Sequence, residues 1–291
     1  MHQQSRWAVL LAGTTVVAAA CSSGSSGKPP AAPAVPPRIV PASAGTISGT
    51  SPSTDGRVWV LAGTRRVKTL TEIRMSDGKV LDIAPADADA TSVAQSVNGQ
   101  LAVGLGTAKT GAVEICDGKS AAVVATIPLA GPATAVATGD DGTTGYVLTG
   151  GDSVAVVSLQ THQVQKTIAV PHESVGVQPT PDQSSIYVLT RSGQINEISL
   201  ASGQTQAQFT LTMNGVGLAM APSGQTLFVL GGSPTARAVA LVDLGTDSQT
   251  GAVPAAGDSV ALAPGLDDTH LYDFVGTPQI GNVQVIQLPG D

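Results

Sequence analysis

Three oxygen-bearing side chains stand where a repeated unit of the chain returns to the same point. Glu173, Asn214 and Asp258 are 41 and 44 residues apart. Carboxylate and amide oxygens brought to one constriction suit a hard cation such as Ca²⁺ or Mg²⁺, or a polar group of a ligand. Ser153 and Ser259 each follow Gly-Asp, and Asp267 lies three before His270. A serine nucleophile needs its base and an oxyanion hole in one place. Of the four histidines, His2, His162, His172 and His270, no two have metal-ligand spacing. No catalytic residue is assigned from these patterns.

The elements that must position such residues follow from a repeat. Tyr146-Val147-Leu148-Thr149-Gly150 returns as Tyr187-Val188-Leu189-Thr190 and Phe228-Val229-Leu230-Gly231-Gly232. Looser copies begin at Trp59, Ala102 and Tyr272, so the steps are 43, 44, 41, 41 and 44 residues. Each copy opens with a run of small and β-branched residues such as Ser174-Val175-Gly176-Val177. A turn of the type Asn98-Gly99 or Asp141-Gly142 follows, then the Tyr-Val-Leu strand and an alternating strand such as Val154 to Leu159. Asx and Gly turns between period-two runs are hairpin signals. Gly and Pro recur too often after residue 37 for a helical pattern. The expectation is an all-β chain forming a single β-propeller of six four-stranded blades. Seven blades, the alternative, would leave about 36 residues each, short for these loops.

Aligning the opening strands places Ala44, Thr91, Pro132, Glu173, Asn214 and Asp258 in one equivalent position. The last three would then be neighbours at the mouth of the central channel. The last copy ends one strand early at Val283 to Leu288, and Arg38-Ile39-Val40 precedes the first. That N-terminal segment is expected to supply the missing outer strand and close the ring, removing an exposed edge. The aromatics Trp59, Tyr146, Tyr187, Phe228 and Tyr272 hold a fixed place in the second strand, which predicts packing between blades.

The copies resemble the YVTN-type β-propeller repeat proteins over nearly all of 41–291. That resemblance implies the fold and leaves function open, since such proteins include envelope proteins and relatives of lactonase-type enzymes. Gly257-Asp258-Ser259 with Asp267 and His270 resembles the Gly-Asp-Ser hydrolases, but their parallel sheet with helices has no counterpart here.

The N-terminus carries a different signal. Arg6 precedes an apolar run from Trp7 to Val17 that is too short to span a bilayer. It ends in Ala18-Ala19-Ala20-Cys21, which resembles the lipobox of bacterial lipoproteins. The resemblance implies cleavage after residue 20 and a diacylglyceryl thioether on Cys21, with an N-acyl chain such as palmitate. Residues 21–37 form a Ser/Gly/Pro-rich linker with no core-forming side chains. The propeller domain is then 38–291. Cys116 is the only other cysteine, so no disulfide is available once Cys21 is acylated. The net charge of −7 argues against nucleic acid as a partner.

These readings lead to a lipid-anchored module on the outer, extracytoplasmic face of the cell membrane that binds an envelope protein or a small ligand. A lactonase-type hydrolase using a cation at Glu173, Asn214 and Asp258 is one alternative, and a structural spacer is another. No cofactor is expected apart from that Ca²⁺ or Mg²⁺.

Overall fold

The computed structural model describes residues 46–52, 56–107, 110–266, 269–276 and 281–288. The leader, Cys21, the linker, residues 38–40, Ala44 and Asp267 lie outside the described residues.

All described regular structure is β. The first sheet runs β1 (Thr46–Pro52), β2 (Arg57–Gly63), β3 (Lys68–Arg74) and β4 (Val80–Ala86). The second is β5 (Ala90–Gln95), β6 (Leu101–Gly106), β7 (Gly111–Cys116) and β8 (Val123–Leu129). The third is β9 (Ala133–Thr138), β10 (Thr144–Thr149), β11 (Ser153–Ser158) and β12 (Gln163–Ala169). The fourth is β13 (Ser174–Pro179), β14 (Ser185–Thr190), β15 (Gln194–Ser199) and β16 (Thr205–Thr210). The fifth is β17 (Gly215–Met220), β18 (Thr226–Ser233), β19 (Ala236–Asp243) and β20 (Ser248–Pro254). The sixth shows β21 (Ser259–Pro264), β22 (His270–Gly276) and β23 (Gly281–Gln287).

Each sheet is an antiparallel meander, and the opening strands pack side by side around a ring. β5 meets β1 and β9, β13 meets β9 and β17, and β21 meets β17 and returns to β1. The molecule is a six-bladed β-propeller, so the seven-bladed alternative falls away. Five blades show four strands and the last shows three among the described residues.

The burial of each strand follows from its rank in the blade. The second strands are covered on both faces, and all six residues of β14, Ser-Ile-Tyr-Val-Leu-Thr, are buried. A strand packed on both sides reads as a continuous apolar run, which is why Tyr-Val-Leu is the visible repeat. The outer strands are mostly exposed, as in Gln163–Ala169, where only Ile168 is buried.

The core is divided into six clusters, each shared by two adjacent blades. Tyr146, Leu148 and Val154 of the third blade pack with Val177, Ile186 and Val188 of the fourth. Trp59 and Leu61 pack with Leu101 and Cys116 of the next blade, and Phe274 closes the ring onto Ile47 and Val60. Trp59, Tyr146, Tyr187 and Phe228 are buried, and Tyr272 packs at the edge of its cluster, so the aromatics serve inter-blade packing. Each buried branched side chain contributes about 1.5–3 kcal/mol.

Candidate functional site: the central channel and its rim

The rim is set by one backbone hydrogen bond repeated around the ring. In the second to sixth blades the residue just before the opening strand accepts from an N–H at or next to the end of the second strand. Gly106 N–H donates to Asp89 O at 3.0 Å and Gly150 N–H to Pro132 O at 2.9 Å. Arg191 N–H donates to Glu173 O, Gly232 N–H to Asn214 O and Gly276 N–H to Asp258 O, at 2.9, 2.9 and 3.0 Å. Pro132, Glu173, Asn214 and Asp258 therefore do occupy equivalent positions on successive blades. The equivalent residue in the second blade is Asp89, which corrects the sequence alignment that placed Thr91 there.

Every opening strand also carries a bulge. The register with the second strand shifts past one extra residue in each blade, and those residues are Ser48, Thr91, Thr134, Val175, Val216 and Val260. A bulge leaves one residue without a partner and re-aims its side chain. Here the first three blades carry hydroxyls at the bulge and the last three carry valine. Ser48 Oγ donates to Leu61 O at 3.4 Å, Thr91 Oγ1 to Gly104 O at 3.0 Å and Thr134 Oγ1 to Leu148 O at 3.3 Å. Thr91 Oγ1 also lies 2.8 Å from Ala133 O, so it ties the second blade to the third. Thr91→Val is expected to cost about 1 kcal/mol in a urea melt of the full chain, the usual worth of one hydrogen bond. An unchanged midpoint would show that this tie carries no stability.

Glu173, Asn214 and Asp258 are exposed at the rim. Glu173 has φ of 60°, a left-handed conformation uncommon outside glycine. Among the described residues no three His, Cys, Asp or Glu side chains gather as a metal ion would require.

Ser153 and Ser259 are held by their own loops. Ser153 Oγ pairs with Thr149 Oγ1 at 2.7 Å. Ser259 Oγ is 2.6 Å from Ala256 O and 2.7 Å from Asp273 Oδ2, and it has a carboxyl rather than an imidazole beside it. His270 Nδ1 lies 2.9 Å from Thr269 Oγ1.

The channel inside the rim encloses about 220 Å³. Its hydroxyls all come from the first three blades, Ser48, Thr50, Ser51, Ser92, Thr134 and Thr138, beside Val93 and Val136, while the last three bring Val175, Val216, Leu218 and Val260, beside the Gln178 amide. No titratable side chain lines it. One layer below the bulges stand Gly49, Ser92, Ala135, Gly176, Gly217 and Ala261, all small. Gly49 is forced by close approach, since a Cβ there would stand 2.9 Å from the Ser92 Cα. At Gly217 a Cβ would meet nothing within 4 Å.

The sequence reading missed two charged features. Between the first and second blades, Lys68 Nζ donates to Ala90 O. Burial pushes this ammonium below the usual lysine range, against the pull of Asp89 and Asp87. Glu114 is raised by burial and then by Asp87. Nothing local in the sequence shows that Lys68 comes to Asp87 and Asp89. Cys116, buried beside Glu114, has its thiol pushed up to about 12 and stays protonated. The second feature is Asp273, fully buried, whose carboxyl is raised by burial although Ser259 and the Ala256 N–H donate to its Oδ2.

Comparison with protein-family models and with curated proteins finds no match. Among solved structures the chain is similar to Kuenenia stuttgartiensis hydrazine synthase, at TM-score 0.62 and 14% identity. The likeness covers 81% of this chain and 75% of that one. At that identity it shows the propeller fold alone.

Proposed function

We propose that this protein is a lipid-anchored binding module of YVTN-type repeat design, held at the outer face of the cell membrane through Cys21. It takes a ligand at the channel and rim and returns it chemically unchanged. The observation that carries this reading is the channel lining, which offers hydroxyl, amide and aliphatic groups and no acid, base or thiol. Proton transfer or nucleophilic attack needs such a group within hydrogen-bond reach of the reacting atom. A lactonase-type reaction would have to take place at the rim, where Glu173, Asn214 and Asp258 are exposed to water.

The binding half of the proposal is tested by capture. The full chain in detergent, immobilised and exposed to an envelope extract, is expected to retain a small molecule whose mass does not change on prolonged incubation. Gly217→Leu, which fills the channel, is expected to lose it. Time-dependent conversion of the retained compound would make the protein an enzyme.

The anchor half is tested by fractionation. Cys21→Ser is expected to move the protein from the membrane to the soluble fraction, because a linker without Ile, Leu or aromatic residues cannot replace acyl chains. Quantitative retention after a salt wash would remove Cys21 as the anchor.

A further inference from the structure

The two unlike sides of the channel specify what can fill it. We infer that the channel takes an uncharged molecule of six-membered-ring size, presenting hydroxyl or N–H donors to the first three blades and hydrocarbon to the last three. This rests on the proposal that the channel is a binding site, and it adds the chemical class of the ligand.

The donor requirement follows from the hydrogen-bond count. A hydroxyl has one proton and two lone pairs. The protons of Ser48 and Thr134 are directed at the main-chain oxygens of Leu61 and Leu148. Those of Thr50 and Thr138 are directed at Leu262 O at 3.3 Å and Gln95 O at 2.8 Å. Each of these four hydroxyls thus has a backbone acceptor for its proton, and what it retains toward the lumen is acceptor capacity. A ligand that brings only acceptors finds no donor among these four.

The requirement for neutrality follows from the lining. With no titratable side chain among the lining residues, an ion entering the channel would lose water without gaining a counter-charge. The opposite wall, where Val175, Val216, Leu218 and Val260 stand with Gln178 as the one side-chain amide, gains from hydrocarbon.

Size completes the description. An apolar cavity of about 150 Å³ accepts benzene. The 220 Å³ here admits a six-membered ring together with a polar substituent. The space beside Gly217 is open in the direction a side chain would take, so leucine at this position occupies the channel without displacing backbone.

The test uses three probes against the full chain in detergent, read by saturation-transfer NMR with titration: cyclohexanol, cyclohexanecarboxylate and myo-inositol. Cyclohexanol is expected to bind saturably, and the carboxylate and the all-hydroxyl ring at least tenfold more weakly. Gly217→Leu is expected to weaken cyclohexanol at least tenfold with an unchanged melting temperature. Thr134→Val, which removes one acceptor, is expected to weaken it about fivefold, and serves as the probe if the leucine variant does not fold. Equal binding of carboxylate and cyclohexanol, or undiminished binding to Gly217→Leu or to Thr134→Val, overturns the inference. If no probe binds while extract capture is still lost in Gly217→Leu, the ligand class is wrong and the channel remains the site. If capture also survives Gly217→Leu, the channel reading itself falls.

Discussion

Gly118→Ala is expected to destabilise the propeller by about 3 kcal/mol, lowering its melting temperature by about 6–12 °C. A methyl group there would lie 1.4 Å from the carbonyl oxygen of Gly99 and 2.6 Å from its carbon. Both are backbone atoms, so no rotamer change relieves the clash and one turn has to move. Neither turn is loose. The first is closed by Ser96 N–H to Gln100 O and Gly99 N–H to Ser96 O, both at 2.8 Å. The second is closed by Asp117 N–H to Ala122 O at 2.9 Å and by Asp117 Oδ1, which accepts from Ser120 N–H at 2.9 Å and from Lys119 N–H at 3.1 Å. Displacing either turn breaks several of these bonds together. Gly217→Ala is the control, since its Cβ has open space and should change stability by less than about 0.5 kcal/mol. Thermal melts of both variants decide the matter. Equal midpoints would mean that the two turns do not constrain each other.

The blades were legible because one strand in each is buried on both faces and so admits almost nothing but apolar side chains. Tyr146-Val147-Leu148 and Tyr187-Val188-Leu189 therefore announce themselves, and counting between them gives the blade. The channel is harder to read. Its strands are bulged, and an extra residue such as Thr91 leaves a run of small residues looking the same while moving every later side chain by one place. Sequence alignment put Thr91 on the rim, where the structure puts Asp89, two residues earlier. Pro132, Glu173, Asn214 and Asp258 were placed at the residue that precedes their opening strands. The division of the channel into a hydroxyl half and a valine half is also written in Ser48, Thr91 and Thr134 against Val175, Val216 and Val260. It becomes visible only once the bulges are known to coincide. Lys68 with Asp87 and Asp89 could not have been found locally, because the contact joins two blades. Asp273 had a signal that could have been used: it stands in the Val column of the second strands.

That column gives the other large effect. Val60, Val103, Val147, Val188 and Val229 occupy the position in five blades, all buried, and Asp273 occupies it in the sixth with no exposed surface. Its Oδ2 accepts from Ser259 at 2.7 Å and from the Ala256 N–H at 3.2 Å, while Oδ1 has no partner. Burial raises this carboxyl above its ordinary 3.8, and the two hydrogen bonds offset only part of the rise. A carboxyl raised in the folded state contributes stability that is fully present below the unfolded value. That contribution is lost as pH climbs through the folded value, because the unfolded chain releases the proton first. Four other carboxyls, Asp117, Asp141, Asp182 and Asp243, are lowered by hydrogen bonds in their turns and act in the opposite direction. The Asp273 contribution is therefore read as a difference between proteins rather than from one curve. Asp273→Val is expected to be less stable than wild type at pH 3, where the neutral acid makes its hydrogen bonds at no ionic cost. At pH 7 it should be more stable by about 1–2 kcal/mol, with the valine filling a place its five counterparts already fill. Asp273→Asn keeps an acceptor for Ser259 and Ala256 and cannot ionise, so its difference from wild type should move with pH in the same direction. Urea melts of the three proteins from pH 3 to pH 7 supply the differences. If both differences stay constant across that range, Asp273 keeps the same protonation in the folded and unfolded chains, and its burial has no bearing on how the sixth blade responds to acid.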